Sequence, residues 1–177
     1  MLTQAITRRL MVVPLANNNH GKTTMLTELV KQASRRELKR VKRGVHLLTS
    51  PWGRKIDALV FMRSYQETLE GEHGPVEAAL DAIDQAWRGR DLVIFPSHLD
   101  AAHCKEILAA GHGAGFDVVV VAVFLDPNDV AKYSSCLKLA WDLRWTVSND
   151  RSDDPNGQIE ALGHDLWSWI AGAIEHR

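Results

Sequence analysis

The stretch from Leu10 to Leu29 constrains this chain more than any other. Leu10-Met11-Val12-Val13-Pro14-Leu15 is an apolar run too short for a helix. It is apolar on both faces, as a strand inside a parallel sheet must be. Pro14 lacks a ladder donor, a loss kept small by its place at the end of the run. Ala16-Asn17-Asn18-Asn19-His20-Gly21-Lys22-Thr23-Thr24 is a mostly polar, loop-forming segment. Met25, Leu26, Leu29 and Val30 then share one face of a helix expected from about Gly21 to Ser34.

The middle segment fits a phosphate-binding pattern: four arbitrary residues, then Gly-Lys-Thr. Each part has a physical reason. A loop curled round a phosphate turns its backbone N–H groups inward, and the helix that follows adds free N–H groups and the positive end of its dipole. Gly21 lets the backbone approach the anion with no Cβ in the way. Lys22 is a compact cation for the β- and γ-phosphates, and the Thr23 hydroxyl is a hard oxygen ligand suited to Mg²⁺.

Through Ala16 to Thr24 the chain resembles the P-loop nucleoside triphosphate hydrolases. The resemblance implies nucleotide contacts from Ala16, Asn17, Asn18, Asn19, His20, Gly21, Lys22, Thr23 and Thr24. It implies a catalytic role for Lys22, a metal role for Thr23, and Mg²⁺ with ATP, or with GTP, as cofactor. Ala16 departs from the Gly that usually opens the loop. His20 to Thr24 looks like the loop of translational GTPases, but no Asn-Lys-x-Asp follows for guanine reading, and Ser50-Pro51-Trp52-Gly53 is at best a remnant of Asp-x-x-Gly.

Further along, Arg35 to Arg43 carries six basic residues in nine. The plain reading is a solvated helix end, where cations favour the dipole; the alternative is a patch for a phosphorylated substrate or a nucleic acid. Val45–Thr49 and Ile56–Met62 read as strands around the turn Ser50–Arg54, forming a hairpin or two strands at one sheet edge. Asp57 is a candidate for activating an acceptor hydroxyl, against the commoner surface Asp. Arg63 is a candidate phosphate contact in a polar stretch that ends at Gly74. Pro75 starts a helix with Val76, Ala79, Leu80, Ile83 and Trp87 on its apolar stripe, ending by Gly89.

Asp91–Pro96 is a strand. In the P-loop family a strand next to the first ends in an Asp that holds Mg²⁺ through water. The matching position here reads Pro96-Ser97-His98, with Asp100 just beyond, so that acid is not evident. Asp100 reads as the N-cap of the helix of Cys104, Ile107 and Leu108, closed by Gly111, Gly113 and Gly115. Phe116–Leu125 is a buried strand, and Asp126 is a second candidate acid or, in preference, a cap for the helix Val130–Leu139. Trp141–Val147 holds a last strand, Asn149–Gly157 a polar loop, and Ile159–Ile174 a closing helix. His98, His103, Cys104 and His112 lack the spacing of a zinc site.

This order of elements predicts an α/β fold: a single domain over residues 1–177, built as a three-layer α/β/α sandwich with a mostly parallel sheet. Composition agrees with a globular domain, at 45% hydrophobic and 24% charged. The net charge of −1 argues against a general polyanion binder, leaving nucleic acid a minor expectation carried by Arg35–Arg43 alone. Two cysteines are too few for a disulfide framework, so a cytoplasmic home is expected, and no apolar run approaches membrane-spanning length. Two functions stay open: a small Mg²⁺-dependent NTPase or kinase-like phosphotransferase with an unidentified second substrate, or a nucleotide-binding regulatory module that hydrolyses little and is read by a protein partner.

Overall fold

A computed structural model describes residues 7–17, 21–125, 130–148 and 155–175. The elements in order are β1 (Leu10–Leu15), α1 (Lys22–Ser34), β2 (Gly44–Thr49), β3 (Lys55–Val60), α2 (Tyr65–Thr68), α3 (Glu70–His73), α4 (Val76–Ile83), β4 (Leu92–Ile94), α5 (Ala101–Gly113), β5 (Val118–Leu125), α6 (Val130–Leu137), β6 (Leu143–Ser148) and α7 (Pro155–Glu175).

The fold is α/β, with one six-stranded sheet in the order β2-β3-β4-β1-β5-β6. Strands β3, β4, β1, β5 and β6 are parallel. Among the described strands only β2 runs against its neighbour, closing a hairpin with β3 at one edge. The ends of the parallel strands therefore make two distinct rims, and β1 lies in the interior of the sheet.

The alternation along β1 sorts the core. Leu10 and Val12 face a layer built from Met25, Leu26, Leu29 and Val30 of α1 and Leu166, Trp167, Ile170 and Ile174 of α7. Met11, Val13 and Leu15 face the opposite layer, with Leu80 of α4, Ile107 of α5 and Tyr133 of α6. A strand buried on both sides has to be continuously apolar, which is why this segment shows no polar alternation. Each such side chain removed from water contributes about 1.5–3 kcal/mol. Two glycines set how closely the helices approach. A Cβ on Gly163 would stand 2.8 Å from the Met25 carbonyl, and one on Gly111 would stand 2.8 Å from the Met11 sulfur.

Several local expectations change. Arg36–Arg43 is not a helix end: α1 stops at Ser34, Arg35 takes a left-handed φ of 50°, and the segment crosses to β2 without regular structure. Trp87 does not extend α4, because the chain leaves the helix at Asp84 and forms a separate 3₁₀ turn, Trp87–Gly89, that still buries the indole. Gly111 and Gly113 lie inside α5, and Gly115, at φ 73°, follows its C-cap Ala114. The closing helix starts at Pro155 rather than Ile159, as a first-turn proline permits. Asn149–Asp154 and Asp126 lie outside the described residues.

Candidate functional site

The loop between β1 and α1 leaves the sheet at the rim formed by the C-terminal ends of the parallel strands. Ala16 is buried and Asn17 half-buried, while Asn18, Asn19 and His20 lie outside the described residues. Gly21 caps α1 at φ 82°, a conformation that costs a residue with a Cβ about 1–2 kcal/mol. A Cβ there would also stand 2.7 Å from the Ile159 Cδ1 of α7. The left-handed dihedral is therefore the main reason for glycine at this position, since the Ile159 Cδ1 end can shift aside.

Lys22 opens α1 and turns back over the loop. Its side chain is 6% exposed, and its ammonium donates to the carbonyls of Ala16 at 2.6 Å and Asn17 at 2.8 Å. Burial lowers its pKa from 10.5 to about 8, and the Glu67 carboxylate partly offsets that. Neither hydrogen-bond partner carries a formal charge. Among the described residues the ammonium is held by neutral carbonyls alone, and such a buried cation favours an incoming anion.

Thr23 and Thr24 lie exposed in the first turn of α1. The Thr23 hydroxyl donates to the Met62 carbonyl at 2.9 Å, just beyond β3. Its oxygen lone pairs remain for a hard cation. Among the described residues no three His, Cys, Asp or Glu side chains converge on a metal position.

Ser97 continues β4, forming a parallel bridge with Leu15. It therefore occupies the position beside β1 where an acid was sought. The Ser97 hydroxyl accepts from Gln66 Nε2 at 2.9 Å, and the Gln66 side-chain oxygen accepts from the His98 N–H at 3.1 Å. The His98 ring meets Glu67 Oε1 at 2.9 Å. Glu67 thus joins this rim from α2, a residue that sequence reasoning passed over within a polar stretch. Its only sequence signal is the segment's length and polarity between two strands. Asp100 stays at the N-cap of α5, accepting from the N–H groups of Ala102 and His103.

Arg63 is exposed on the same rim. It lines a cavity of about 620 Å³ with Thr23, Arg40, Val41, Lys42, Arg43, Phe61 and Met62. The structure thus joins three features far apart in sequence: the loop helix, the basic segment and Arg63. It does not bring Asp57 to them. Asp57 lies near the start of β3, at the opposite rim, bound to Arg90 at 2.5 Å. The histidines are dispersed, with His98 on Glu67, His103 on Glu70 and His112 on Asp142.

Compared with protein-family models, curated protein sequences and solved structures, the chain gives no match. The functional reading therefore rests on this geometry and on the sequence.

Proposed function

We propose that this chain is a P-loop protein of three-layer α/β/α form that binds a nucleoside triphosphate with Mg²⁺ at the β1–α1 loop and acts on it as a small NTPase or phosphotransferase. The observation that carries this reading is Lys22: a buried ammonium turned onto the carbonyls of its own loop, at the start of a helix capped by a left-handed glycine. On binding, the ammonium exchanges those carbonyls for phosphate oxygens, and the first turn of α1 adds its free N–H groups.

Mg²⁺ suits this donor set. It keeps several waters and takes one or two protein oxygens plus phosphate oxygens, and Thr23 offers one such oxygen. The cation would neutralise charge on the terminal phosphates.

In a transfer, an acceptor oxygen bonds to the terminal phosphorus as the bridging P–O bond breaks. The diphosphate leaves with that electron pair, and the acceptor's proton passes to a base. Glu67, whose charge reaches Lys22 and whose carboxylate meets His98, supplies that base. Lys22 stabilises the charge on the moving group.

A second reading has its own support. Ser97 and Asp100 occupy the positions after β4, and neither is an acid free to order the metal: one is a hydroxyl, the other a cap. That favours a regulatory module that holds nucleotide and barely hydrolyses it.

Calorimetric titration with ATP and GTP, with and without Mg²⁺, tests binding in wild type and Lys22→Ala. Binding of one nucleotide, lost in the variant, is expected; equal binding by both proteins refutes the reading. Release of phosphate by wild type and not by the variant selects the enzyme over the module.

A further inference from the structure

The cavity beside Thr23 has a composition of its own. Arg40, Lys42, Arg43 and Arg63 stand around it, and no carboxylate is among its lining residues. Among the described residues none of these four side chains has an ion pair or hydrogen-bond partner. Charge runs are usually solvated faces that move freely, but this one is anchored. Leu38 and Val41 pack against the core between α1, α7 and the sheet. The His46 ring contacts the Lys42 carbonyl at 2.8 Å. Arg35, the first cation of the run, is spent on the carbonyls of Ser50 and Pro51. Arg36 and Lys39 border a different hollow, with Glu37. The remaining cations are thereby held together, beside the partly buried Val41 and the buried Phe61 and Met62.

Four uncompensated cations at one cavity repel each other and favour an anion that unites them. Arginine matches the oxygens of a phosphate two at a time. The volume suits a small molecule, and Val41 with the alkyl stems of the surrounding cations suits an uncharged body attached to the phosphate. We propose that this cavity binds the phosphate of a small phosphorylated second substrate, a phosphomonoester with an apolar or aromatic body. The proposal rests on the nucleotide reading above in one respect: Thr23 borders both the loop and the cavity, so the second substrate lies beside the terminal phosphate.

The test uses the full chain and phenyl phosphate as probe, followed by calorimetry or NMR shifts, with phenol as the uncharged control. Phenyl phosphate is expected to bind and phenol not, with affinity falling as salt is raised. Arg63→Ala, and Arg40→Ala combined with Arg43→Ala, each weaken binding about tenfold or more. ATP affinity stays unchanged in these variants, while Lys22→Ala loses ATP and keeps phenyl phosphate. Absent binding, or binding indifferent to the arginines, overturns the proposal. Equal weakening of ATP and phenyl phosphate also overturns it, because the cations then belong to the triphosphate. Far tighter, arginine-dependent binding of a single-stranded oligonucleotide that phenyl phosphate does not displace overturns the small-molecule assignment. The nucleotide reading fails separately, if Lys22→Ala binds ATP as wild type does.

Discussion

The two rims of the sheet treat their basic side chains differently. At the N-terminal rim the charges are matched within the protein. Arg90 bridges Asp57 at 2.5 Å and Asp84 at 2.8 Å. Asp91 accepts from the Asp57 N–H, Asp117 from the Arg9 N–H, and Asp142 from the Val119 N–H. Arg9 donates to the carbonyls of Arg88 and Gly115. At the C-terminal rim Lys22 is held, among the described residues, by carbonyls, and Arg40, Lys42, Arg43 and Arg63 surround an open cavity. Charges satisfied internally hold strand starts in place; the cations at the other rim are left for the proposed ligand. Ligand sites in open α/β sheets sit beyond the carboxyl ends of the strands, and this division of charge agrees with that rule.

The largest expected effect is at the open rim. Lys22→Ala should weaken triphosphate binding about a hundredfold or more, read by calorimetry, with the fold kept by circular dichroism. Retained affinity would erase the contrast between the rims. At the matched rim, Arg90→Ala should lower stability by about 1–3 kcal/mol in denaturant titration and leave nucleotide affinity alone. The hydrogen bond from Arg90 holds the Asp84 pKa below 3.8. That contribution is therefore present above the ordinary pKa and is lost as pH falls through the lowered one. A variant as stable as wild type would show that matched charges do not hold this rim.

Gly21→Ala should cost about 1–2 kcal/mol of stability. The added contact with Ile159 can be relieved by also changing Ile159→Ala, whereas the strain of the left-handed backbone cannot. Full recovery in the double variant would mean that the dihedral is not the constraint.

The smallest effect is a pH dependence. Lys22 has a pKa of about 8 in the folded protein and an ordinary value of 10.5. Between those values the unfolded chain binds more protons, so this group makes stability rise with pH over that window. An anion restores the charged form, so triphosphate binding takes up protons near pH 8 and weakens at higher pH. Titration in buffers of different ionisation enthalpy reads this directly. Glu67→Gln should move the Lys22 pKa lower still; an unmoved value would mean that Glu67 does not act on Lys22.

Part of this was legible in residue order. The periodicity of Leu10–Ser34 set out a buried strand and a one-faced helix, and both formed within a residue of their expected limits. Asp100 was legible as an N-cap because its side-chain oxygen meets N–H groups two and three residues on, a contact that sequence spacing alone decides. Trp87 was not. Its spacing fitted the α4 stripe, but the backbone turned at Asp84 and the indole reached the core from a separate turn. Asp57 looked like a residue near a strand end, and only the strand's direction in the sheet showed which end.

By itself, then, the sequence determined the local units, since helix faces, buried strands and caps depend on residues a few positions apart. It also set which residue types stand in the loop from Ala16 to Thr24. The tertiary structure alone decided what those units meet. It set Ser97 beside Leu15, brought Glu67 within electrostatic reach of Lys22, and joined Arg40, Arg43 and Arg63 to Thr23 around one cavity. The reason is that these contacts depend on strand order and direction, which no local spacing encodes.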